Sequence, residues 1–352
     1  MRIILRSISI IFLLPFLCYA EENTENNISY IDTSHTTISH KVIDWSNMID
    51  TTVSGWLGQE ETNSTNEVAA QLEDIKKPKV LSVDAFFQSN KYLNETDDTF
   101  VRVRVDSNLQ SKESNDFKLR LSAQVPFSKS KQNFKFFVDD LTLDKDQNIF
   151  KEEDENRVLS DIGVHYFAPE AYGVISRYSL GLSGSSLFVR ARYNMPIKTE
   201  GWLIDPVQIF KFSMSDEFEE ETNIYFDKVL KDLSLFRIQL HRKTETEVDG
   251  MDYALSLQYY WRYSENTGLR FTQSFLGNTK YPYIIDSSIE PPKTKSYGGI
   301  NNYISSLSWR ENIWRKWFYY EVSPTVNFHK DHDFEANYAI RVFFDFYFGE
   351  YH

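Results

Sequence analysis

Apolar and polar side chains alternate along most of the chain from residue 99 to the C-terminus. Val101 and Val103 share one parity, and Arg102 and Arg104 share the other. Successive side chains of a β-strand point to opposite faces, so this pattern predicts strands with one apolar and one polar face. Turn-forming residues separate the strands. About fourteen such segments lie at 99–110, 116–128, 133–143, 160–168, 173–183, 186–195, 202–214, 219–229, 233–243, 251–263, 267–277, 298–311, 314–328 and 335–348.

Two folds produce this pattern, a soluble antiparallel sandwich and a transmembrane barrel. The segments have the length of a tilted strand that crosses a bilayer, and their charged faces suit a wet lumen. Aromatic residues near the ends of the apolar faces are typical of interfacial girdles. They are Phe117, Phe127, Tyr253, Trp261, Trp309, Phe318 and Phe328. We therefore expect an all-β fold, a transmembrane antiparallel up-and-down β-barrel of about fourteen strands, with twelve to sixteen also compatible.

The lengths of the connections predict the orientation of the barrel. If the last strand ends in the periplasm, the longest connections, Lys145–Leu159 and Thr279–Tyr297, fall outside. Long external loops and short periplasmic turns are the usual asymmetry. An even number of strands leaves the N-terminus in the periplasm as well. A further strand at Leu81–Phe87 breaks this pattern, so that segment is excluded from the barrel. The sequence does not decide which side chains of segment 202–214 face outward, because Lys211 interrupts its alternating apolar positions.

The N-terminus has the features of a secretory signal peptide. Arg2 and Arg6 precede an apolar run at 8–17, and a small-residue cleavage site ends at Ala20. We therefore predict a signal peptide over 1–20. A lipoprotein anchor on Cys18 is the rival interpretation, and Leu17 disfavours it because a small residue is expected before an anchored cysteine.

Residues 21–98 are predicted to be a periplasmic extension of the barrel at 99–352. They are polar and disordered over 21–40, and polar again over 58–80. Between these stretches, 41–57 carries Val42, Trp45 and Ile49 at helical spacing, which predicts an amphipathic helix. This helix can rest on a membrane, plug a pore, bind a periplasmic partner or simply pack on the main domain.

The composition excludes several classes of protein. Hydrophobic residues make up 41% of the chain and aromatic residues 16%, which is too apolar for a disordered protein. Lysine and arginine number 38 against 51 acidic residues, and the net charge of −13 argues against a partner nucleic acid. A single cysteine excludes a disulfide framework and a cysteine-rich metal site.

The signal peptide, the strand pattern and the aromatic final segment Arg341–Phe348 together resemble Gram-negative outer-membrane β-barrel proteins. Asp116–Phe127 and Trp309–Tyr320 are similar to an uncharacterised family of porin-like barrels. The resemblance implies a location in the outer membrane, contact with the lipid bilayer and recognition by the barrel assembly machinery. Members of the class usually end in an aromatic residue, whereas Gly349–His352 follows the aromatic segment here.

The polar parity of the strands supplies the candidate pore-lining residues. The basic members are Arg102, Arg104, Arg120, Arg190, Arg192, Arg237, Arg262, Arg270, Arg310 and Arg341. The acidic members are Asp106, Glu219, Glu221, Asp227, Glu321 and Asp345. Arginine rows that face acidic residues across a pore select small polar or charged solutes. Alternatively, the charges pair across the barrel and plug it.

Catalytic and metal-binding patterns are weak. His329, Asp331 and His332 form the densest histidine cluster, and on a helix the two histidines can chelate zinc. A loop is expected there, so a solvated external turn is favoured. His165 and His241 share the polar parity, but the spacing places no serine convincingly beside either. We therefore predict no enzyme activity, no metal site and no cofactor.

Three functions follow from these patterns. The first is a pore for small hydrophilic or ionic solutes. The second is a closed barrel that serves as an anchor or assembly partner for a periplasmic protein recruited by residues 41–57. The third, a barrel hydrolase, rests only on the histidine cluster.

Overall fold

The alternating segments form one continuous antiparallel sheet. This computed structural model describes residues 30–56, 79–89, 91, 99–126, 134–139, 161–215, 217–231, 233–246, 248–286 and 293–349. All fourteen predicted segments form strands, and one short strand, β7, is added. The strands are β1 (Phe100–Gln110), β2 (Asp116–Pro126), β3 (Phe134–Asp139), β4 (Asp161–Ala171), β5 (Val174–Ser183), β6 (Ser186–Asn194), β7 (Ile197–Thr199), β8 (Trp202–Ser213), β9 (Glu217–Lys231), β10 (Ser234–Glu245), β11 (Asp252–Arg262), β12 (Thr267–Asp286), β13 (Lys293–Glu311), β14 (Phe318–His329) and β15 (Ala336–Gly349).

The sheet closes on itself. The first strand pairs with the last, with Phe100 opposite Gly349. β6 pairs directly with β8, while the three-residue β7 pairs with β8 beyond the end of β6. Fourteen of the fifteen strands therefore close the barrel, and the predicted strand number is confirmed. Closure removes the sheet edges, so the backbone groups of the barrel strands find partners without water.

The outer face of the sheet is apolar and the inner face is charged, which is the reverse of the arrangement in a soluble protein. Leu119 and Leu180 on the outer face are 59% and 55% exposed, whereas Arg120 on the inner face is 1% exposed. Lys211 also points inward and lies 3.7 Å from Asp161. This resolves the ambiguity in β8. An apolar exterior around a closed, charged interior is the arrangement of a membrane β-barrel, so the predicted class is confirmed.

Aromatic side chains gather near the strand ends. At the end where β1 begins, the rings of Trp261 and Trp309 lie 5.5 and 6.4 Å from that of Tyr263. At the opposite end, Phe117 and Tyr338 are 72% and 65% exposed. These positions match the interfacial girdles of membrane barrels. Phe127, which was predicted to belong to a girdle, lies outside the described residues.

Two helices precede the barrel in the chain. Helix α1 (Tyr30–Trp56) begins eleven residues before the predicted start at 41, so the expected disorder of 21–40 is wrong for 30–40. Extending an existing helix needs no new nucleus, and polar composition does not prevent it. On α1, Val42 is buried while Trp45 is 63% exposed, so the predicted apolar face is divided. No helix within the described ranges is long and apolar enough to cross a membrane.

Helix α2 (Lys79–Phe87) occupies the segment that the even strand number excluded from the barrel, and the exclusion is confirmed.

The predicted loop Thr279–Tyr297 is largely a hairpin instead, because β12 and β13 stay paired as far as Asp286 and Lys293. Tyrosines at 281, 283 and 297 favour this extension, since aromatic residues stabilise cross-strand pairs. The predicted signal peptide, the linker up to residue 78 and the loop Lys145–Leu159 lie outside the described residues.

Candidate functional site

The charged interior of the barrel contains all sixteen predicted pore-lining residues, and none of them is exposed. The buried members are Arg102, Arg104, Asp106, Arg120, Arg192, Asp227, Arg237, Arg310, Glu321 and Asp345. The partly buried members are Arg190, Glu219, Glu221, Arg262, Arg270 and Arg341. A buried charge is stable only with partners or water. The ion pairs therefore decide how the interior is organised.

One network runs along β12, β13, β14, β15 and β1. Asp345 accepts hydrogen bonds from Arg104 Nε at 2.6 Å and from Arg310 Nη1 at 3.0 Å. Glu321 accepts one from Arg270 Nη2 at 2.7 Å and lies 3.6 Å from Arg310. Each of the two carboxylates thus lies beside two arginines, and Arg310 contacts both carboxylates.

The network continues onto β2. Asp106 accepts hydrogen bonds from Arg341, and the Arg120 guanidinium lies 2.9 Å from the same carboxylate. Arg102 donates to Ser122 Oγ at 2.9 Å. All of these partners lie on neighbouring strands. These residues therefore pair along one wall, and not across the barrel as in the second alternative.

A second cluster lies on β4, β5, β6 and β8. Asp161 accepts hydrogen bonds from Ser183 Oγ at 2.6 Å and from Arg190, and Lys211 lies 3.7 Å away. Sequence reasoning did not select Asp161 or Lys211. Both lie on the inward parity of their strands, so a strict parity count finds them.

The neighbouring inner wall of β3, β5 and β6 is basic. Lys135, Arg177 and Arg192 are all less than one-tenth exposed, and Arg177 lies opposite Arg192 in the strand register.

Further ion pairs lie where β9 begins and β10 ends. Lys243 lies 3.2 Å from Glu219, and His241 lies 3.7 Å from Glu221. Charge is therefore distributed around much of the interior.

A third cluster joins α2 and Lys91, which lies four residues after the end of α2, to the barrel wall. Asp84 Oδ2 accepts a hydrogen bond from Arg237 Nη2 at 2.6 Å, and Arg237 Nε donates to Asp227 at 2.6 Å. Lys91 Nζ lies 3.1 Å from both Asp227 and Asp205. The predicted lumen residues Arg237 and Asp227 are thus bound to the N-terminal segment.

Apolar contacts complete the docking of α2. Val83, Phe86 and Phe87 form one buried cluster with Leu235 and Tyr260 of the barrel. Sequence reasoning missed this role for α2. A signal was present, because Asp84 is a lone charge in an otherwise apolar run, and such a charge needs a partner when it is buried.

The inner-wall residues beneath α2 include Arg262 and Gly268. The Arg262 guanidinium lies 5.0 Å from the centre of the Phe86 ring. A Cβ atom on Gly268 is predicted to meet the Phe87 and Phe86 rings at 2.7 and 2.8 Å. Glycine at this position therefore allows the helix to approach the wall closely.

The histidines have structural partners. His165 Nδ1 lies 2.7 Å from Ser179 Oγ, so the expectation that no serine lies beside it is wrong, since the β4–β5 register pairs the two residues. The His165 ring stacks on Phe137 with centroids 3.8 Å apart. His329 lies beside a 3-10 turn at Lys330–His332, not in an open loop. The described residues contain no group of three or more potential metal ligands.

An exposed ion pair joins the connection that includes this turn to the connection between β1 and β2. Lys112 Nζ donates a hydrogen bond to Glu335 Oε2 at 2.5 Å. This bond and the nearby positive charge lower the pKa of the Glu335 carboxyl. Tyr281 Oη donates to Asp331 at 2.8 Å, which ties the extended β12–β13 hairpin to the turn.

Solved structures similar to the chain are outer-membrane barrels of low sequence identity. OmpT of Vibrio cholerae is 8% identical with a TM-score of 0.43, and the match covers 71% of this chain and 97% of that protein. An anion-selective porin from Comamonas acidovorans is 8% identical with a TM-score of 0.44, covering 71% and 98%. The KdgM porin is 7% identical with a TM-score of 0.33, covering 71% and 99%.

No family model matches the chain, and no curated protein matches it. TM-scores as low as those of the solved structures identify no solute. The barrel architecture rests on the strand pairing and on the distribution of side chains described above.

Proposed function

We propose that this outer-membrane β-barrel is a pore for small hydrophilic or ionic solutes. The observation that carries the proposal is the inward placement of all sixteen predicted charges, together with ion pairs that several of them form along the wall, such as Arg104–Asp345 and Arg120–Asp106. Pairs that lie along a wall hold the side chains against that wall, whereas pairs across the axis block it. A charged, hydrated wall lowers the cost of moving a polar solute through the membrane.

The size of the barrel agrees with this proposal. Fourteen strands about 4.8 Å apart, tilted by about 40°, close into a barrel with a backbone radius of about 14 Å. Inward side chains take up roughly 5 Å of that radius, which is half the usual spacing of packed sheets. The remaining open cross-section of the barrel suits small solutes and is too narrow for folded proteins.

The charge of the wall offers a direct test. We expect Arg190→Gln to shift the permeability ratio towards cations, because the substitution leaves Asp161 with less positive charge beside it. A shift of roughly twofold is expected for one inward charge. The measurement is the reversal potential in a salt gradient across a planar bilayer.

The matched control is Arg242→Gln. Arg242 also pairs with a carboxylate, Glu220 at 3.2 Å, but its side chain is 44% exposed. This control is expected to leave the ion preference unchanged. Equal ion preference in Arg190→Gln and the unchanged protein, with open channels in both, contradicts the assignment of Arg190 to the pore wall.

A closed barrel that anchors a periplasmic partner is the second candidate. The docking of α2 inside the barrel favours it, as does the 63% exposure of Trp45 on α1. Under this alternative, deletion of residues 41–57 abolishes binding of a partner, and the barrel conducts no ions.

Catalysis has less support than transport. Nucleophilic hydrolysis needs a base held in place by a third group. Among the described residues, His165 is hydrogen-bonded to Ser179 and stacked on Phe137, and no carboxylate contacts it. We therefore retain a non-enzymatic role in the proposal.

A further inference from the structure

Helix α2 lies at one mouth of the barrel. It contacts Leu235 at the start of β10, Tyr260 near the end of β11 and Gly268 at the start of β12. The Phe86 carbonyl also accepts a hydrogen bond from Arg310 Nε at 2.9 Å, near the end of β13. These positions all lie at the end of the barrel where β1 begins and where the strands are joined by short turns. The loop lengths predict that this end faces the periplasm.

The helix is held there by charge as well as by apolar packing. Asp84 is 1% exposed and its partner Arg237 is 2% exposed. Lys91 anchors the chain that follows α2 on Asp205 and Asp227. Removing one partner of a buried ion pair is costly, so these contacts resist displacement of the helix.

The contacts described above, together with the Phe86 ring 6.0 Å from that of Tyr319 on β14, place α2 on one side of the mouth, against β10 to β14. Lys91 extends the contact to β8. We propose that α2 is the constriction of the pore, so that a segment of the chain preceding the barrel sets the largest solute that can pass. This inference rests on the proposed pore function and identifies the element that determines its size limit.

The expected effect follows from the geometry. A helix with its side chains is about 10–12 Å across, and the open section is about 18 Å across once inward side chains are subtracted. The helix then fills about a third to two-fifths of that section. Removing it should raise single-channel conductance about 1.5- to 2-fold and admit larger polymers.

The first experiment compares two deletions of equal length in the otherwise full chain. One removes residues 79–91, which contain α2 and Lys91, and the control removes residues 59–71. Heat-modifiable migration verifies that each barrel is folded. The 79–91 deletion is expected to raise conductance and the size limit for polyethylene glycol, whereas the control deletion is expected to leave both unchanged.

A second experiment keeps the helix in place. Ala85 is a partly exposed residue of α2, and Asp249 has a side chain that is 91% exposed outside the strands. In a chain with Cys18→Ser, Ala85→Cys is labelled with a bulky charged thiol reagent, and Asp249→Cys is the control. Labelling at 85 is expected to reduce conductance at least about twofold, since the reagent narrows the constriction further. Labelling at 249 is expected to have no effect.

The results separate the two proposals. Equal conductance before and after the 79–91 deletion, or after labelling at 85, overturns the constriction and leaves the pore intact. Folded barrels that conduct neither with nor without residues 79–91 overturn both the constriction and the pore. If the deletion does not fold, the labelling result decides.

Discussion

At the scale of single residues, a few carboxylates organise the interior. Asp345 is completely buried and binds both Arg104 and Arg310, so it joins β15 to β1 and β13. Asp106 has the same role between Arg341 and Arg120. Each carboxylate therefore stabilises two arginines that would otherwise repel each other.

We expect Asp345→Ala to lower the free energy of unfolding by about 3 kcal/mol, because it leaves two buried guanidinium groups without this partner. Denaturant unfolding in phospholipid vesicles measures the effect. The control is Asp249→Ala, since Asp249 is 91% exposed and lies 3.7 Å from an exposed lysine. A loss for Asp345→Ala no larger than for the control would show that the network does not support the fold.

Parity alone predicts which charges face inward, but it does not predict their partners. Arg341 reaches Asp106 diagonally, because its direct neighbour in the register is Asn108. Arg270 reaches Glu321 across the intervening strand β13. Such contacts depend on the register and twist of the closed sheet, which the sequence of one strand does not contain.

At the scale of elements, the strands were predictable and α2 was not. Strand alternation persists for about ten residues, so the fourteen segments agree with the structure to within a few residues at most ends. The main exceptions are β12 and β13, whose pairing continues well beyond the predicted ends. α2 is a short apolar helix whose position depends on partners such as Arg237 and Gly268, which lie far away in the chain.

The lipid-facing side of a strand makes a second energetic prediction. Leu240 is 40% exposed in the middle of β10, so Leu240→Arg should destabilise the barrel by about 2–4 kcal/mol in vesicles. Leu233→Arg is the control, because Leu233 is 39% exposed in the turn before the same strand, where arginine can reach the interface. Equal costs at the two positions contradict the placement of β10 across the membrane.

At the scale of the whole molecule, the proposed pore has an apolar exterior, a charged wall and an internal helix at one mouth. The membrane class follows from the strand pattern and is confirmed by closure between β1 and β15. In the proposed pore, the size limit for solutes depends on the cross-section left between α2 and the opposite wall, and no local pattern in the sequence encodes that cross-section.

The most direct test of the proposed pore is single-channel recording of the purified protein in a planar bilayer. We expect stable conductance steps with an ion preference, and larger steps after deletion of residues 79–91. Silence from heat-modifiable, folded barrels of both proteins contradicts the pore and favours the closed anchor.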